Sequence, residues 1–353
     1  MKQASKKTIL VVGGAGFIGV NSANRFLKKG HRVIVLDNLS RKGAASNLAW
    51  LRKNHKKVIF EKADIRDYKK VKKVFGKYKK IDVVLHLAAQ VAVTTSVVDP
   101  REDFDINALG TFNVLEAVRE TYKLSSAKKK KAPFFINAST NKVYGGMEDI
   151  KIVQSNGRYQ YRDFKRGIPE DRLLDFHSPY GCSKGAADQY VLDYQRIYGL
   201  DTVSFRQSCI YGYRQFGVED QGWVAWFIIA SVLGKKITVY GDGKQVRDVL
   251  FIEDLIDAYE GAIKNRRTVS GKAYNIGGGP KNQMSLLELI AFIEKWRGKK
   301  LKYSFDDWRP GDQPVFVCDI RKAKKDFGWQ PKTSVKNGVK TLYEWVAANK
   351  KLF

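Results

Sequence analysis

Six short apolar runs punctuate the chain as far as residue 206, at 8–12, 32–36, 57–60, 82–86, 133–138 and 202–206. Runs this brief, continuous rather than alternating, predict strands buried on both faces of a parallel sheet. Between them, apolar positions recur at helical spacing. One helix is expected through 24–29, with Gly30 as its stop. A longer one is expected from Asp99-Pro100 through Asn107-Ala-Leu-Gly-Thr-Phe-Asn113, and a third from Pro179 to about Tyr198. This alternation predicts an α/β fold on a doubly wound parallel sheet, and 353 residues leave room for a smaller companion domain. The polar segment 145–177 is long enough to be a functional loop, and 324–345 reads as a closing helical region.

The turn after the first run is Gly13-Gly-Ala-Gly16-Phe-Ile-Gly19, a G-x-x-G-x-x-G spacing between strand and helix. Gly13 allows a tight turn, Gly16 lets backbone approach a pyrophosphate, and Gly19 lets helix and strand pack closely, with phosphate at the helix N-terminus. The second run ends in Asp37. A carboxylate there can accept from adenosine ribose hydroxyls and would repel a 2′-phosphate, so NAD is favoured over NADP. Arg41 and Lys42 nearby keep NADP open. On the third helix Tyr180 and Lys184 stand one turn apart on one face. An ammonium beside a phenol favours the phenolate and is expected to bring a tyrosine pKa of about 10 down towards neutrality. Such a tyrosine can take a proton from a substrate hydroxyl and return it.

The formal net charge of +28 raises the question of nucleic-acid binding, which Lys128-Lys-Lys-Lys131 invites. The lysines, however, recur in short clusters along the chain, Lys56-Lys57, Lys72-Lys73, Lys79-Lys80, Lys235-Lys236 and Lys324-Lys325 among them, without interleaved aromatic residues to stack bases. A solvated face is expected, with no nucleic-acid partner. The longest apolar stretch, 223–233, falls well short of the roughly 20 residues of a membrane span, so no membrane partner is expected. The lysine-rich start before 8–12 mimics a signal peptide, but glycines follow at once. Cys182, Cys209 and Cys318 are odd in number and far apart, with neither a disulfide framework nor metal spacing. That usage suits a cytoplasmic protein without a metal site.

Ala138-Ser-Thr-Asn-Lys-Val-Tyr-Gly145 stands at the carboxyl end of the fifth run. Together with the glycine turn and Tyr180-Gly-Cys-Ser-Lys184, it resembles the extended short-chain dehydrogenase/reductase family of NAD-dependent epimerases and dehydratases. Arg214-Gln-Phe-Gly-Val-Glu-Asp-Gln-Gly-Trp223 narrows the resemblance to the branch of CDP-tyvelose (CDP-paratose) 2-epimerases, over nearly the whole chain. The resemblance implies a Rossmann-type NAD-binding domain over 1–209 plus about 246–265, and a smaller α/β sugar-nucleotide-binding domain over 210–245 and 266–353. It implies Thr140, Tyr180 and Lys184 as catalytic residues. NAD would lie on Gly13, Gly16, Phe17, Ile18 and Gly19. Asp37, Asn38, Asp64 and Ile65 would take its adenosine half, and Leu87, Ala88, Ala89, Tyr180 and Lys184 the rest, with Asn107 supporting the active-site backbone. Substrate contacts would come from Thr140, Asn141, Arg214 and Val239, from Cys209 as a small polarisable wall, and from Arg247 and Arg309 as diphosphate ligands, since their forked donors suit that group.

The implied reaction is epimerisation at C2 of a CDP-linked hexose, of the CDP-paratose/CDP-tyvelose or CDP-glucose/CDP-mannose type. Tyr180 would take the C2 hydroxyl proton as hydride leaves for tightly held NAD, and the 2-keto sugar would turn before hydride returns. Related 4,6-dehydratases need an acid and a base, typically Asp-Glu, where this chain has Asn141-Lys142, so elimination of water is not expected. A UDP-sugar 4-epimerase or decarboxylase is the alternative within the family. A non-catalytic nucleic-acid-binding or scaffold protein is the alternative outside it, opposed by the intact Thr140, Tyr180 and Lys184. Association as a homodimer or homotetramer is implied by the resemblance alone.

Overall fold

Every expected run forms a strand. In the computed structural model, which describes residues 6–78, 80–125, 131–309 and 311–353, the first part of the chain reads β1 (Thr8–Val12), α1 (Phe17–Lys28), β2 (Arg32–Asp37), α2 (Ala44–Asn54), β3 (Ile59–Lys62), α3 (Tyr68–Lys77) and β4 (Val83–His86). It continues with α4 (Val93–Val98), α5 (Pro100–Phe104), α6 (Gly110–Thr121), β5 (Phe134–Thr140) and, further on, α7 (Ser178–Tyr198). With the later strands Thr202–Gln207 and Lys272–Ile276 these make a seven-stranded sheet, ordered Lys272–Ile276, Thr202–Gln207, β5, β4, β1, β2, β3. The pairings β1–β2, β1–β4, β2–β3 and β4–β5 are parallel. The strand order reverses between β1 and β4, the place where open α/β sheets receive ligands beyond their carboxyl ends.

Alternate residues of each strand point to opposite faces. Leu10 and Val12 of β1, Ile34 and Leu36 of β2, Val84 of β4 and Phe135 of β5 form one buried layer with Val71 and Phe75 of α3, Val114 and Val118 of α6, and Val191 and Tyr194 of α7. Ile9, Val11, Val33 and Val35 are equally buried on the other side. That two-sided burial is why the runs are continuous rather than alternating.

Two sequence expectations shift. The third strand was expected at 57–60 and runs Ile59–Lys62, because pairing with β2 starts at Ile34↔Ile59. The long helix from Asp99 is interrupted: α5, capped by Asp99 through a bond from Glu102 N at 2.9 Å, passes into a π-turn at Asp105–Leu109 before α6 begins. Single π-turns inside helices gather at functional sites, and this one carries Asn107.

The chain divides into two compact units, one of 1–140, 179–206 and 259–274, the other of 141–178, 207–258 and 275–353. These limits depart from the 1–209 and 246–265 division at several points. Residues 141–178 join the second unit because Tyr144, Tyr161 and Ile168 pack on Val315, Phe316 and Cys318. Residues 246–258 go with them because the strand Val246–Phe251 pairs with Gln283–Ser285, Val315–Phe316 and Cys209–Tyr211. Residues 266–274 belong to the first unit, where Tyr274 and Tyr259 close their rings on Phe205.

Within the second unit, the segment expected as a loop holds an antiparallel hairpin, Ile152–Ser155 with Arg158–Tyr161. Its turn is Asn156-Gly157, with φ of 51° and 74°, the left-handed pair that a tight hairpin demands. The closing region is two helices, Arg321–Phe327 and Val335–Ala348, because Gly328 ends the first in the left-handed conformation.

The glycine turn supplies a stability test. A Cβ on Gly19 would lie 2.2 Å from Gly13 O and 2.6 Å from Gly14 Cα, both backbone. One on Gly16 would meet only Gly13 O, at 3.3 Å. Gly19→Ala is expected to cost on the order of 2 kcal/mol by denaturant unfolding, and Gly16→Ala clearly less. Equal losses would refute this account of the turn.

Candidate active site

Thr140 ends β5 and Tyr180 lies in the first turn of α7, so both belong to the first compact unit. Pro179 is the second residue of α7, and Ser96 receives the backbone N–H of Tyr180 at its Oγ, 3.1 Å away. The side chains of Thr140 and Tyr180 are hydrogen-bonded. The Thr140 bond favours the phenolate, and so does Arg41, whose charge reaches the ring.

The expected lowering of the tyrosine by Lys184 does not occur. Burial pushes the Tyr180 phenol up to about 12, and the Asp103 carboxylate adds to the rise. Lys184 turns to the strand instead, its Nζ donating to the Ala138 carbonyl oxygen at 2.6 Å. Burial brings its ammonium down to about 8, against the pull of Asp188 and Asp103. The two residues share a helix face, as the spacing required, but the tyrosine answers to burial before it answers to the lysine.

A buried polar network lies behind them. Asn107, on the π-turn, donates from Nδ2 to Asp103 Oδ1 at 3.0 Å and to Ser183 Oγ at 3.2 Å. Its Oδ1 accepts from Gln90 N at 2.9 Å, and its carbonyl accepts from Thr111 Oγ1 at 2.6 Å. Asn107 thus holds the backbone after β4 at Gln90. His86 continues the chain through Nε2 and Thr111 Oγ1, 2.9 Å apart, and burial lowers it to about 3, so it is neutral. On the other side of Lys184, the wholly buried Asp188 accepts from Ser204 Oγ at 2.6 Å and pairs with Arg206 at 3.0 Å. Neither Asp103 nor Asp188 was singled out from the sequence. Both carboxylates look like ordinary polar positions of their helices until β5 and α7 are brought together.

The glycine turn faces the loop after β4. A Cβ on Gly13, whose φ is 78°, would fall 2.6 Å from Ala88 N and 2.9 Å from Leu87 C. Asp37 accepts from Ala15 N at 2.9 Å and Leu39 N at 2.8 Å, bonds that oppose a rise caused by burial. With a third bond from the Gly16 backbone, the carboxylate keeps one lone pair for a further donor. Asn38 donates to Asp64 at 2.8 Å, and Arg66 joins them, holding the Asp64 carboxyl down to about 2. Ile65 takes the space above Gly110, where a Cβ would be 2.5 Å from its Cδ1. Phe17 and Ile18 are half-buried at the start of α1, and Leu87, Ala88 and Ala89 half-buried after β4.

In the second unit, Arg247 donates to Val246 O at 2.8 Å and pairs with Asp312 at 2.5 Å. Arg309 bonds Glu219 O and Asp220, each at 3.0 Å, and lies 3.9 Å over the Tyr240 ring. Both arginines therefore already have protein acceptors. Burial pushes the Cys209 thiol up, against the pull of Arg247, and so disfavours its thiolate. Arg214, in the left-handed conformation with φ of 59°, lies 5.9 Å over Trp345, and burial lowers it to about 10. Val239 is wholly buried. Its expected substrate contact is not available to a residue that exposes no surface, and it supports the strand Ile237–Tyr240 instead. Asn141 opens a 3-10 turn, Asn141–Tyr144.

Lys142 was read from the sequence only as a departure from Asp-Glu. Its Nζ lies 3.2 Å from Gly311 O and 3.4 Å from Gln313 Oε1, and burial together with Arg247 lowers it to about 8. Burial works against the Asp312 charge, but Arg247 and Lys142 outweigh it and hold that carboxyl below its ordinary value. The segment after Arg309 is thereby tied to the turn after Thr140; Pro310 lies outside the described residues.

The lysine clusters make surface ion pairs, Lys72 with Glu120 and Lys70 with Asp67 among them, while Lys79 and Lys128 to Lys130 lie outside the described residues. Among the described residues no helix is long and apolar enough to cross a membrane, and no three His, Cys, Asp or Glu are grouped to hold a metal ion.

The chain is 46% identical to the CDP-paratose 2-epimerase of Salmonella typhi over 345 residues, covering 96% of this chain and 99% of that one. It is 32% identical to the dTDP-glucose 4,6-dehydratase of Neisseria gonorrhoeae, covering 99% and 98%. The solved UDP-glucuronic acid 4-epimerase of Bacillus cereus, in complex with UDP-glucuronic acid and NAD, superposes with a TM-score of 0.81 at 29% identity, covering 98% of this chain and 100% of that one. The family described as GDP-mannose 4,6 dehydratase matches residues 10–342. The chain therefore belongs to the GDP-mannose 4,6 dehydratase family, within the extended short-chain dehydrogenases/reductases.

Proposed function

We propose that the protein is an NAD-dependent isomerase that inverts C2 of a CDP-linked hexose. The observation that carries this reading is the 46% identity to a CDP-paratose 2-epimerase over nearly the full length of both chains. The glycine turn fits a dinucleotide, since Gly13 and Gly19 leave no room for a Cβ and Asp37 retains acceptor capacity beside them. Gly16, Phe17 and Ile18 would take the pyrophosphate at the start of α1, and Asp37, Asn38, Asp64 and Ile65 the adenosine end. Leu87, Ala88 and Ala89 would line its far side. NAD, when bound, supplies the oxidant and reductant for one sugar carbon and, when oxidised, a positive ring charge.

The chain's own residues handle the proton. Tyr180 takes it from the C2 hydroxyl and returns it after the sugar has turned, with Thr140 bonded to the same phenol and orienting the sugar oxygen. Lys184, held by Ala138 O, contributes positive charge at the base of the site. Asn141, Cys209, Arg214, Arg247 and Arg309 would bind the sugar nucleotide, Arg247 and Arg309 exchanging part of their present carboxylate pairing for diphosphate oxygens. Asn141-Lys142 in place of the acid and base of a dehydratase supports epimerisation without loss of water.

The test follows C2-deuterated CDP-paratose and CDP-glucose by NMR in ordinary water. Inverted C2 with the label retained is the expected result. Loss of the label to solvent would overturn internal return of hydride, and turnover confined to C4 of UDP-sugars would move the chain to the 4-epimerases.

A further inference from the structure

Asp103 has no place in the assignments above, yet it is wholly buried behind the proposed catalytic pair. Its two oxygens are held from two elements: Oδ1 accepts from Asn107 Nδ2 on the π-turn at 3.0 Å, and Oδ2 accepts from Ser183 Oγ on α7. Ser183 stands between Tyr180 and Lys184 in the sequence, and its Oγ lies 3.3 Å from the Tyr180 carbonyl oxygen. A carboxylate buried with two neutral donors keeps a charge that solvent does not screen.

The charges around the pair can be followed one by one. Lys184 faces Asp103, Asp188 and the neutral imidazole of His86. Tyr180 faces Asp103, Arg41 and the Thr140 hydroxyl. Asp188 already pairs with Arg206 at 3.0 Å. Asp103 acts on both Tyr180 and Lys184, favouring the protonated form of each. Burial raises its own pKa, and the Ser183 bond, the Lys184 charge and the Asn107 bond work against that rise.

We propose that Asp103 is a positioning residue whose buried charge, fixed by Ser183 and Asn107, ties the protonation of Tyr180 to that of Lys184. The inference rests on the catalytic roles proposed above for those two residues. With the carboxylate present both hold their protons to higher pH. With it neutralised both release them earlier, so the pH window in which a phenolate coexists with an ammonium moves as one.

The test titrates Lys184 directly, by NMR of protein carrying 15N-labelled lysine, with the signal assigned by its absence in Lys184→Met. This readout needs no turnover, so its failure is separate from a wrong sugar or a wrong reaction. Asp103→Asn, which keeps the size and hydrogen-bonding reach, is expected to lower the Lys184 midpoint by about one pH unit. Asp103→Glu, which keeps the charge, is expected to stay near the parent value. If Asp103→Asn does not fold by thermal melting, Asp103→Ser, smaller and equally uncharged, carries the same expectation. In the turnover assay both limbs of the pH profile should move to lower pH in the neutral variant, whereas a merely structural role would scale the profile without moving it. A folded neutral variant whose Lys184 titrates with the parent overturns the proposal.

Discussion

Replacing Tyr180 by phenylalanine is expected to cut turnover by about 10²- to 10⁴-fold while the fold and bound NAD persist, the range that a positioned acid–base group contributes. The change is nearly isosteric at a buried position, and the group lost is a hydroxyl bonded to Thr140. One buried hydrogen bond is worth about 1 kcal/mol, so the melting temperature should move little. Turnover of the CDP-sugar and NAD released on denaturation are the two measurements. A variant with near-normal turnover would remove Tyr180 from the chemistry altogether. The phenol's position near pH 12 gives the sign of the pH dependence. Before any cofactor charge acts, the phenolate is the scarce form, so the oxidative step should quicken as pH rises until, near about 8, Lys184 begins to lose its charge.

The largest expected loss of stability comes from Asp188→Ala. Asp188 is wholly buried and Arg206 5% exposed, and their pairing at 3.0 Å is backed by the Ser204 hydroxyl. Removing one partner strands the other charge in the interior, at a cost of about 3–5 kcal/mol. Replacing both, as in Asp188→Leu with Arg206→Met, should recover most of that loss, because no unpaired charge remains. Denaturant unfolding of the single and double variants decides it. A double variant as unstable as the single one would mean that the packing, not the charge, is what matters here.

Much of the sheet was legible because β1, β2, β4 and β5 are buried on both faces, and that burial writes an unbroken apolar run into the sequence. β3 carries a weaker pattern, ending in Glu61-Lys62, and its limits came from pairing with β2. The hairpin was legible in principle: Asn156-Gly157 between Ser155 and Arg158 is a tight-turn signal, hidden by the polar strands around it. The glycine turn and the Tyr180–Lys184 spacing could be read because they are local. What Lys184 touches could not, since Ala138 O is 46 residues away, nor could the meeting of Lys142 with Gly311 across 169 residues. Sequence spacing gives the face a side chain shares, and burial supplied by distant segments then sets its charge.

The chain passes between the two compact units five times, at 140/141, 178/179, 206/207, 258/259 and 274/275. During synthesis the first unit therefore stays incomplete until residue 274 has left the ribosome, because Tyr259 and Tyr274 arrive long after the Phe205 ring they cover. Neither unit can be cut out as one continuous fragment, so nascent chains stopped before that point should present Phe205 uncovered to chaperones and proteases.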